Sequence, residues 1–350
     1  MENTTNTTTE NALKFQFTGD GGEYFKIWIV NLCLTVATLG IYSAWAKVRR
    51  NRYFYGNTKL AGSGFEYLAN PLAILKGRAI ALLFFGAISV SQHISFILYG
   101  VAIAVFLAAL PWLIVRSMTF RARNTAYRNI RFNFTGKYGE AFLSFIVFPI
   151  ILGIASLGLV YPYALYKQKK LLVDNSYYGN SAFSFYGASG MFYKIFGVIF
   201  LFSFGFMAAA VFIVMGLTVA HAGEGSTASP LLPLVVIYTL MLIFYTIVFA
   251  YFNARATNAV YNNTRLGEHR LHADLRATGL LALYAQNLLA IIFTLGLYIP
   301  WAKVRAAQYW AAHIRLIPVG NLDGFVAEQQ SAMSSVGEEI SGMFDVDIGI

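Results

Sequence analysis

A ten-residue stretch that occurs three times constrains the fold of this chain more than any other feature. The sequence reads GIYSAWAKVR at 40–49 and GLYIPWAKVR at 296–305, and a looser copy, GLVYPYALYK, stands at 158–167. Each copy follows a long apolar run and ends it with aromatic residues and cations. Chains leave a bilayer in this manner on the side where Lys and Arg are retained. The pattern predicts a membrane protein whose repeated elements lie at the cytoplasmic interface.

The composition also favours a membrane protein. Hydrophobic residues make up 57% of the chain and charged residues 12%, whereas soluble domains have roughly 45–50% and about 25%. The net charge of +10 is unevenly distributed, because residues 321–350 contain six acids and no Lys or Arg. Cations that flank apolar runs favour retention of membrane loops over nucleic-acid binding. The single cysteine, Cys33, excludes an internal disulfide.

Seven apolar runs, each close to the roughly 20 residues that cross a hydrocarbon core, predict an all-α fold. We expect a polytopic helical membrane protein with internal repeats, two full units plus a truncated third, and four to seven transmembrane helices. The predicted organisation is a polar tail at 1–23, a membrane domain at 24–320 and an acidic tail at 321–350. The repeat units are expected at about 17–133, 134–275 and 276–320.

Two topologies satisfy these runs. Seven spans would place the cations after the second copy, including Lys167, in the periplasm, against the positive-inside bias. In the alternative, four runs are true spans, while the first, fourth and seventh runs enter from the cytoplasm and return to it. Leu39-Gly40, Leu157-Gly158 and Leu295-Gly296, late in those runs, are the predicted bends. Each run is long enough to cross, so both topologies stay open.

Aromatic and basic residues beside the apolar runs are the candidate functional residues. Tryptophan suits the membrane interface, and Lys and Arg beside it reach lipid phosphates. Arg123, Tyr127 and Arg131 stand at i, i+4 and i+8, a spacing that predicts one helix face. A topology anchor that meets anionic lipid and a specific site for an anionic ligand both fit. The candidate interfacial or anionic-lipid contacts are Trp45, Lys47, Arg49, Arg123, Tyr127, Arg131, Trp301, Lys303 and Arg305.

Motifs for catalysis, cofactors or metals are not recognised in the sequence. The stretch EHRLHAD at 268–274 has a metal-like spacing, but structural zinc requires four ligands. Ser, His and acidic residues form no nucleophile motif. The glycines after Phe17 and Phe134 lack the Lys-Ser/Thr pair of a phosphate-binding loop. We therefore expect neither an enzyme nor a bound cofactor or metal.

Three motifs together resemble a known family. They are the FTGxxGE openings at 17–23 and 134–140, the WAKVR elements at 45–49 and 301–305, and the FDVDIG ending at 344–349. On these motifs the chain resembles the YjgN-like family of bacterial inner-membrane proteins, built from a domain of unknown function. The resemblance implies a multipass inner-membrane protein of a Gram-negative bacterium. It implies no activity, substrate or catalytic residue.

Two classes of function remain open from the sequence. Internal repeats favour a transporter-like protein that permits permeation of a small solute, because many transporters build a midplane site from repeats. Asn31 is one of the few strongly polar residues within the runs that could serve such a site. The alternative is a non-transporting envelope protein that binds anionic lipid or a partner protein through its basic and aromatic cytoplasmic face. The acidic tail is then a lid on those cations or a docking segment. A homo-oligomer is compatible with either class.

Overall fold

The computed structural model describes residues 12–222 and 231–331, and within them it combines long helices with an antiparallel β-sheet. The prediction of an all-α fold is therefore wrong. The acids predicted at 338–347, the FDVDIG ending and residues 1–11 of the predicted polar tail lie outside the described residues. The strands are β1 Leu13–Lys14, β2 Gln16–Phe17, β3 Thr58–Leu60, β4 Ser63–Tyr67, β5 Thr125–Tyr127, β6 Ile130–Phe134, β7 Ser176–Tyr178, β8 Ser181–Phe185, β9 Thr264–Leu266, β10 His269–Ala273 and β11 Ile314–Ile317.

Helices connect the strands in pairs. A π-helical segment, Leu143–Leu152, joins α5 to α6 so that the three run as one helix. The helices are α1 Gly21–Ala37, α2 Ser43–Asn57, α3 Pro71–Ile94, α4 Phe96–Arg123, α5 Tyr138–Phe142, α6 Gly153–Ala155, α7 Tyr161–Asp174, α8 Ser189–Ala222, α9 Leu231–Tyr261, α10 Ala277–Phe293 and α11 Ile299–Ala312. A final helix at 322–331 is called the plug helix below.

The sheet closes on itself through its first strand. The order of the strands in the sheet is β1-β11-β10-β9-β8-β7-β6-β5-β4-β3-β2. Every neighbouring pair is antiparallel. β1 and β2 are two halves of one extended segment, separated only by Phe15, whose N–H donates to the carbonyl of Ile314 at 3.2 Å. One half pairs with β11 and the other with β3. Counted as one strand, they make a closed barrel of ten strands within the described residues.

Apolar side chains fill the barrel because alternate residues of each short strand face inward. One such residue from every strand belongs to a single core cluster, which we call the interior ring. Its members are Phe15, Leu60, Phe65, Tyr127, Phe132, Tyr178, Phe183, Leu266, Leu271 and Leu316. Two tyrosines of the interior ring also connect neighbouring β-hairpins through their hydroxyls. Tyr127 Oη donates to the carbonyl of Leu60 at 2.7 Å, and Tyr178 Oη donates to that of Tyr127 at 3.1 Å. The hydroxyls buried in this apolar interior are therefore satisfied.

The two rims of the barrel carry different connections. Two-residue turns occupy one rim, at Ala61-Gly62, Arg128-Asn129, Gly179-Asn180 and Gly267-Glu268. Arg128 and Asn129 have φ values of 49° and 66°, as the tight turns that match strand twist require. Successive connections of an antiparallel barrel alternate between rims, so the helices leave from the other one. We call these the turn rim and the helix rim.

In the part of the chain that the structure describes, five helical hairpins rise from the helix rim. They are α1–α2, α3–α4, α5–α7, α8–α9 and α10–α11, and the strands before and after each are paired neighbours. Each hairpin therefore leaves the sheet and returns to it. Neighbouring hairpins also pack together, as α1 does against α11 and α9 against α10, so the helices follow the barrel around a closed ring.

The hairpins alternate between short and long. Five described segments are long and apolar enough to cross a membrane: α3, α4, α8, α9 and the continuous helix Tyr138–Ala155. The last of these is followed by α7, which has 14 residues, or about 21 Å of helix, and contains three lysines. A hydrocarbon core is about 30 Å thick, so α7 cannot provide the return crossing. The geometry favours four crossings by the long hairpins and three short hairpins that dip and return.

The predicted bends are confirmed at the tips of the three short hairpins. Leu39, Leu157 and Leu295 have φ values of 48°, 52° and 50°, and the following glycines have 91°, 88° and 92°. In each turn the glycine N–H donates to a carbonyl five residues earlier, at 2.7–2.8 Å. Such left-handed geometry is readily available to glycine, which explains the residue at the second position. The leucines are more than 90% exposed, which suits a tip that faces lipid.

Cysteine labelling tests the arrangement of the hairpins. In a Cys33→Ser background, we expect Ser95→Cys, between α3 and α4, to react with an impermeant thiol reagent from the periplasm. Asn262→Cys, beside the helix rim, is expected to react only from the cytoplasm, because α8 and α9 both end at the barrel. Periplasmic labelling of Asn262→Cys would contradict the fold.

Candidate functional site

Five cations from four helices converge near the helix rim, and we call them the cation cluster. They are Lys47 and Arg50 on α2, Arg78 on α3, Arg121 on α4 and Lys303 on α11. Desolvation, followed by the positive charges of Arg78, Arg50 and Arg121, lowers the pKa of Lys47. Desolvation and the charge of Arg50 lower the pKa of Lys303 in the same way. Lys47 therefore experiences the positive charge of three arginines, and Lys303 that of Arg50.

The cation cluster lies on the inner side of the helical ring. Lys47 on α2 interacts with Arg121 on α4 although α3 stands between these helices, and Arg50 interacts with Lys303 although α1 intervenes. Side chains on the outer faces of a closed ring diverge, whereas those on inner faces converge. Arg121 also lines a cavity together with Phe132 and Phe183 of the interior ring. These interactions indicate that the cluster faces the lumen above the barrel, where its side chains are exposed apart from the half-buried Arg78.

No carboxylate balances these charges among residues 12–222 and 231–331. The ion pairs there join Arg128 to Asp323, Lys170 to Asp174 and Arg315 to Asp274, and none includes a member of the cluster. Arg78 donates a hydrogen bond to Ser43 Oγ, which is neutral. Like charges that are held together without a counter-ion oppose folding and favour binding of an anion. The arrangement therefore suits a phosphate or carboxylate group.

The repeated element contributes equivalent lysines to this site. Lys47 and Lys303 each stand eight residues after the leucine of their bend. The arginine two residues later differs between the copies: Arg49 is exposed, as both lysines are, whereas Arg305 Nη1 donates to Asn287 Oδ1 at 3.0 Å and Nη2 to Gln286 Oε1 at 2.6 Å. Lys47 and Lys303 therefore contribute charge to the cation cluster, whereas Arg305 holds α11 against α10 through hydrogen bonds.

The first copy lacks the corresponding bond. Asn31 lies eight residues before its bend leucine, as Asn287 does, and it is buried. Asn31 Oδ1 has no hydrogen-bond partner in the described part of the chain, although Arg49 occupies the place of Arg305. A buried amide oxygen without a donor costs about 1–3 kcal/mol. The first and last copies of the repeated element thus have asparagines at equivalent positions, but only the last copy bonds its asparagine to its arginine.

The two tryptophans of the repeated element are packed rather than freely exposed. Trp45 is half-buried and stacks on Tyr42 at 6.1 Å between centroids. Trp301 stacks on Tyr298, and its indole lies where a side chain of Gly21 would otherwise be. Gly21 is thus required for the packing of α1 against α11. Whether the tryptophan rings also contact lipid stays a prediction.

The predicted helix face formed by Arg123, Tyr127 and Arg131 is wrong. Helix α4 ends at Arg123, Tyr127 belongs to β5 and Arg131 to β6, on either side of a two-residue turn. Tyr127 is 4% exposed inside the barrel, so it is not a lipid contact. Arg123 and Arg131 are exposed, with Arg131 on the outer wall. The spacing matched a helix, but the strands interrupt it.

The plug helix closes the barrel at the turn rim. Leu322 and Val326 are buried in the core cluster of the interior ring, and Phe325 packs beside them. The ring of Phe325 stacks on Tyr178 at 6.2 Å and meets His269 edge-on at 4.4 Å. The helix thus places the apolar face that recurs at i, i+3 and i+4 against the barrel interior. Part of the predicted acidic tail is therefore a structural plug.

Polar contacts hold the plug helix across the turns. Gln329, which is buried, accepts a hydrogen bond from the N–H of Asn180 at 2.9 Å, and its side chain covers Gly179. Gln330 Nε2 donates to the carbonyl of Arg128 at 3.1 Å. The guanidinium of Arg128 forms an ion pair with Asp323 at 2.5 Å, which raises the pKa of Arg128. The plug helix is therefore fastened to two separate hairpins.

His269, from the stretch with metal-like spacing, has a structural role. It is buried, and its Nδ1 accepts a hydrogen bond from the N–H of Val319 at 3.0 Å. This contact holds the segment that leads into the plug helix. His272, three residues later in the same strand, points to the opposite face of the sheet and is paired with Arg315. In the described residues, no three His, Cys, Asp or Glu side chains are grouped as a metal site.

Sequence reasoning missed three members of the cation cluster as site residues. Arg50, Arg78 and Arg121 lie beside apolar runs that are distant in the chain, so only the closed ring brings them together. The signal for the plug helix was stronger. Asn321 followed by Leu322, Phe325 and Val326 is a capped amphipathic pattern, and Asn321 Oδ1 does accept from the N–H of Asp323.

A family model described as "Bacterial protein of unknown function (DUF898)" matches residues 12–343. Among curated proteins, the chain is similar to "Inner membrane protein YjgN" of Salmonella typhimurium, with 31% identity over 150 residues, 41% of this chain and 37% of the relative. It is also similar to the protein of the same name in Escherichia coli K12, with 29% identity over 164 residues, 46% of this chain and 40% of the relative. No solved structure matches.

The matched segments thus span only 37% and 40% of the length of these curated relatives. The predicted family resemblance is confirmed. The names of the relatives and the five helices of membrane length also confirm the predicted location in the bacterial inner membrane.

Loss of the Phe325 ring should release the plug helix. Phe325→Ala removes the contacts with Tyr178 and His269, and truncation of a large core side chain costs about 3–5 kcal/mol when it is fully buried. Because Phe325 is only partly buried, we expect docking to weaken by about 2 kcal/mol. Faster protease cleavage within 322–331 in the purified full-length protein reports the release. Glu328→Ala, on the exposed face, is the matched control, and equal cleavage of both variants would contradict the plug.

Low pH should weaken the same contact. Burial lowers the pKa of His269, although the charge of Glu268 opposes this shift. The undocked state therefore binds more protons below about pH 6.5, so docking is strongest above that pH and weakens as the pH falls. The protection factors of the amides in 322–331, corrected for the pH dependence of intrinsic exchange, are expected to be lower at pH 5.5 than at pH 7.5, and His269→Gln should reduce this difference. Greater protection at pH 5.5 in the wild-type protein would contradict the prediction.

Proposed function

The chain belongs to this DUF898 family of bacterial proteins of unknown function, and from that premise we propose that it binds the anionic headgroup of a lipid in its cation cluster. The observation that supports the proposal is the convergence of five cations from four helices, with no facing carboxylate among residues 12–222 and 231–331. The proposal describes a binding protein and includes no catalytic step.

The position of the cluster supports a lipid as the source of the anion. Lys47 and Lys303 follow the bends of hairpins that dip into the membrane, which brings their ammonium groups close to headgroup depth. The apolar surfaces of the long hairpins lie on one side of the cluster and the barrel on the other. An amphiphile that enters the lumen could keep its apolar part in either region while its charged group meets the cations.

Arginine and lysine in the cluster favour a phosphate in particular. Arg50, Arg78 and Arg121 each present several N–H donors in a planar fork, which matches phosphate oxygens. Lys47 and Lys303 add positive charge without a fixed direction. Desolvation and then the charges of Arg78, Arg50 and Arg121 lower the pKa of Lys47, and a bound phosphate would offset those charges. Zwitterionic lipid is expected to be a weaker ligand, because its net charge is zero.

Permeation of a small solute is the second candidate. The lumen of the helical ring leads to a barrel whose far mouth is closed by a separate helix, and this arrangement is compatible with a gated path. The interior ring nevertheless fills the barrel with large side chains, and the plug helix packs directly on it. A path would require both to move. Binding requires no such change, so it is preferred.

Neutralising the cluster tests the proposal. The triple variant Lys47→Gln/Arg50→Gln/Lys303→Gln should copurify with much less phosphatidylglycerol and cardiolipin than the wild type. A cation near a membrane surface contributes about 1 kcal/mol, so a loss of about ten-fold or more is expected. The matched control removes three cations from the outer wall of the barrel, as Lys14→Gln/Arg131→Gln/Arg270→Gln. Equal losses in both variants, measured by mass spectrometry of extracted lipid, would contradict a specific site.

A further inference from the structure

A cavity of about 470 Å³ lies inside the barrel at the helix rim, below the cation cluster. The ends of α4, α7 and α9 form its upper wall, and strands β6 to β10 form its lower part. Arg121 belongs both to this cavity and to the cation cluster. The cavity and the cation cluster therefore meet at Arg121.

The interior ring forms the floor of the cavity. Phe132, Phe183 and Leu271 line it, and each is only half-buried although it faces the inside of the barrel. By contrast, Tyr127 and Tyr178 are 4% and 3% exposed in the same core cluster. These three half-buried side chains thus present one surface to the open cavity, while the plug helix packs against the interior ring from the turn rim. The cavity is closed at its lower end by apolar groups.

The walls are apolar as well, apart from one cation. Leu172 and Val260 face the cavity from α7 and α9. Three residues of the wall carry a hydroxyl, and two of these hydroxyls are already occupied: Ser176 Oγ donates to the carbonyl of Leu172 at 2.6 Å, and Thr264 Oγ1 to that of Val260 at 2.8 Å. The third belongs to Tyr261 on α9. Arg121 is the charged member, and no hydrogen bond or ion pair of its guanidinium is present among the described residues.

An apolar pocket with an unpaired guanidinium at its opening matches an amphiphile with one anionic group. The volume is in the lower part of the roughly 300–1,000 Å³ range of ligand pockets, which suits a single chain better than a two-chain lipid. We propose that the barrel cavity binds a single-chain anionic amphiphile, with its tail against Phe132, Phe183 and Leu271 and its head between Arg121 and Lys47. This inference rests on the proposed function, because the head would occupy the cation cluster.

The chemistry of the head can come from two sources. A fatty acid supplies a carboxylate, and a lysophospholipid supplies a phosphate on a comparable single chain. Either anion can accept charge-assisted hydrogen bonds from Arg121. The experiment therefore uses two probes, a fatty acid and a lysophosphatidylglycerol, each with a photoactivatable diazirine in the chain.

The full-length protein is reconstituted in phosphatidylcholine nanodiscs, and labelled residues are mapped by mass spectrometry. Labels on Leu172, Phe183, Val260 or Leu271 are expected from at least one probe, and the probe that labels them identifies the head. Labels confined to lipid-facing residues of α3 and α8 from both probes would overturn the inference.

Variants that fill the cavity provide the second measurement. Leu271→Trp and Leu172→Trp add bulk from the floor and from the wall, so each should abolish labelling of the remaining cavity residues. Leu83→Trp, on an exposed face of α3, is the matched control and should label like the wild type. Arg121→Gln should reduce labelling about ten-fold, the size expected for losing a hydrogen bond to a charged group. Unchanged labelling in both filled variants would overturn the inference.

The same variants separate this inference from the proposed function. Leu271→Trp leaves Lys47, Arg50 and Lys303 in place, so it should still copurify with phosphatidylglycerol. If the cation variant loses that lipid but no cavity residue is ever labelled, the cavity inference fails and the headgroup site stands. If cavity labelling occurs and the cation variant keeps its lipid, the cluster is not the headgroup site, and the position assigned to the amphiphile's head fails with it.

Discussion

The pairing of one short strand with two partners holds the whole structure together. Residues 13–17 form hydrogen bonds to β11 with their first half and to β3 with their second, and this closes the barrel. Without it, β3 and β11 would each present an unpaired edge, which sheets avoid. The strands have only two to five residues, so no pair would be stable alone. Closure makes each strand depend on all of the others.

Closure also determines what the helices can do. Because every helical hairpin begins and ends on paired strands, both of its ends are at the same rim, and a helix that crosses the membrane must be followed by one that returns. The cations at the ends of these helices are then on one side of the membrane, as the positive-inside bias requires. Their convergence above the barrel follows from the ring, and so does the lumen to which we assign the ligand.

The sequence allowed the membrane-length helices, the bends and the repeated lysines to be predicted, but not the barrel. Apolar runs of about 20 residues are strong signals, whereas a strand such as Thr58–Leu60 is too short to show alternation. Pairing of β1 with β11 joins residues about 300 positions apart, which no local pattern reveals. The sequence contained only a weak signal for the strands, namely the position of four phenylalanines. Phe15, Phe65, Phe132 and Phe183 each occupy the middle of a five-residue segment followed or preceded by a tight turn or a helix start.

Cross-linking across the closure tests the central claim most directly. Lys14 and Arg315 are opposite each other in the pairing of β1 with β11, so their side chains are about 5 Å apart at Cβ. In a Cys33→Ser background, Lys14→Cys/Arg315→Cys should form an intramolecular cross-link with a short bis-thiol reagent in native membranes. Lys14→Cys/Arg131→Cys, which joins different walls of the barrel, should not. Failure of the first pair, while the register partners Arg265→Cys/Arg270→Cys do cross-link, would show that the barrel is open.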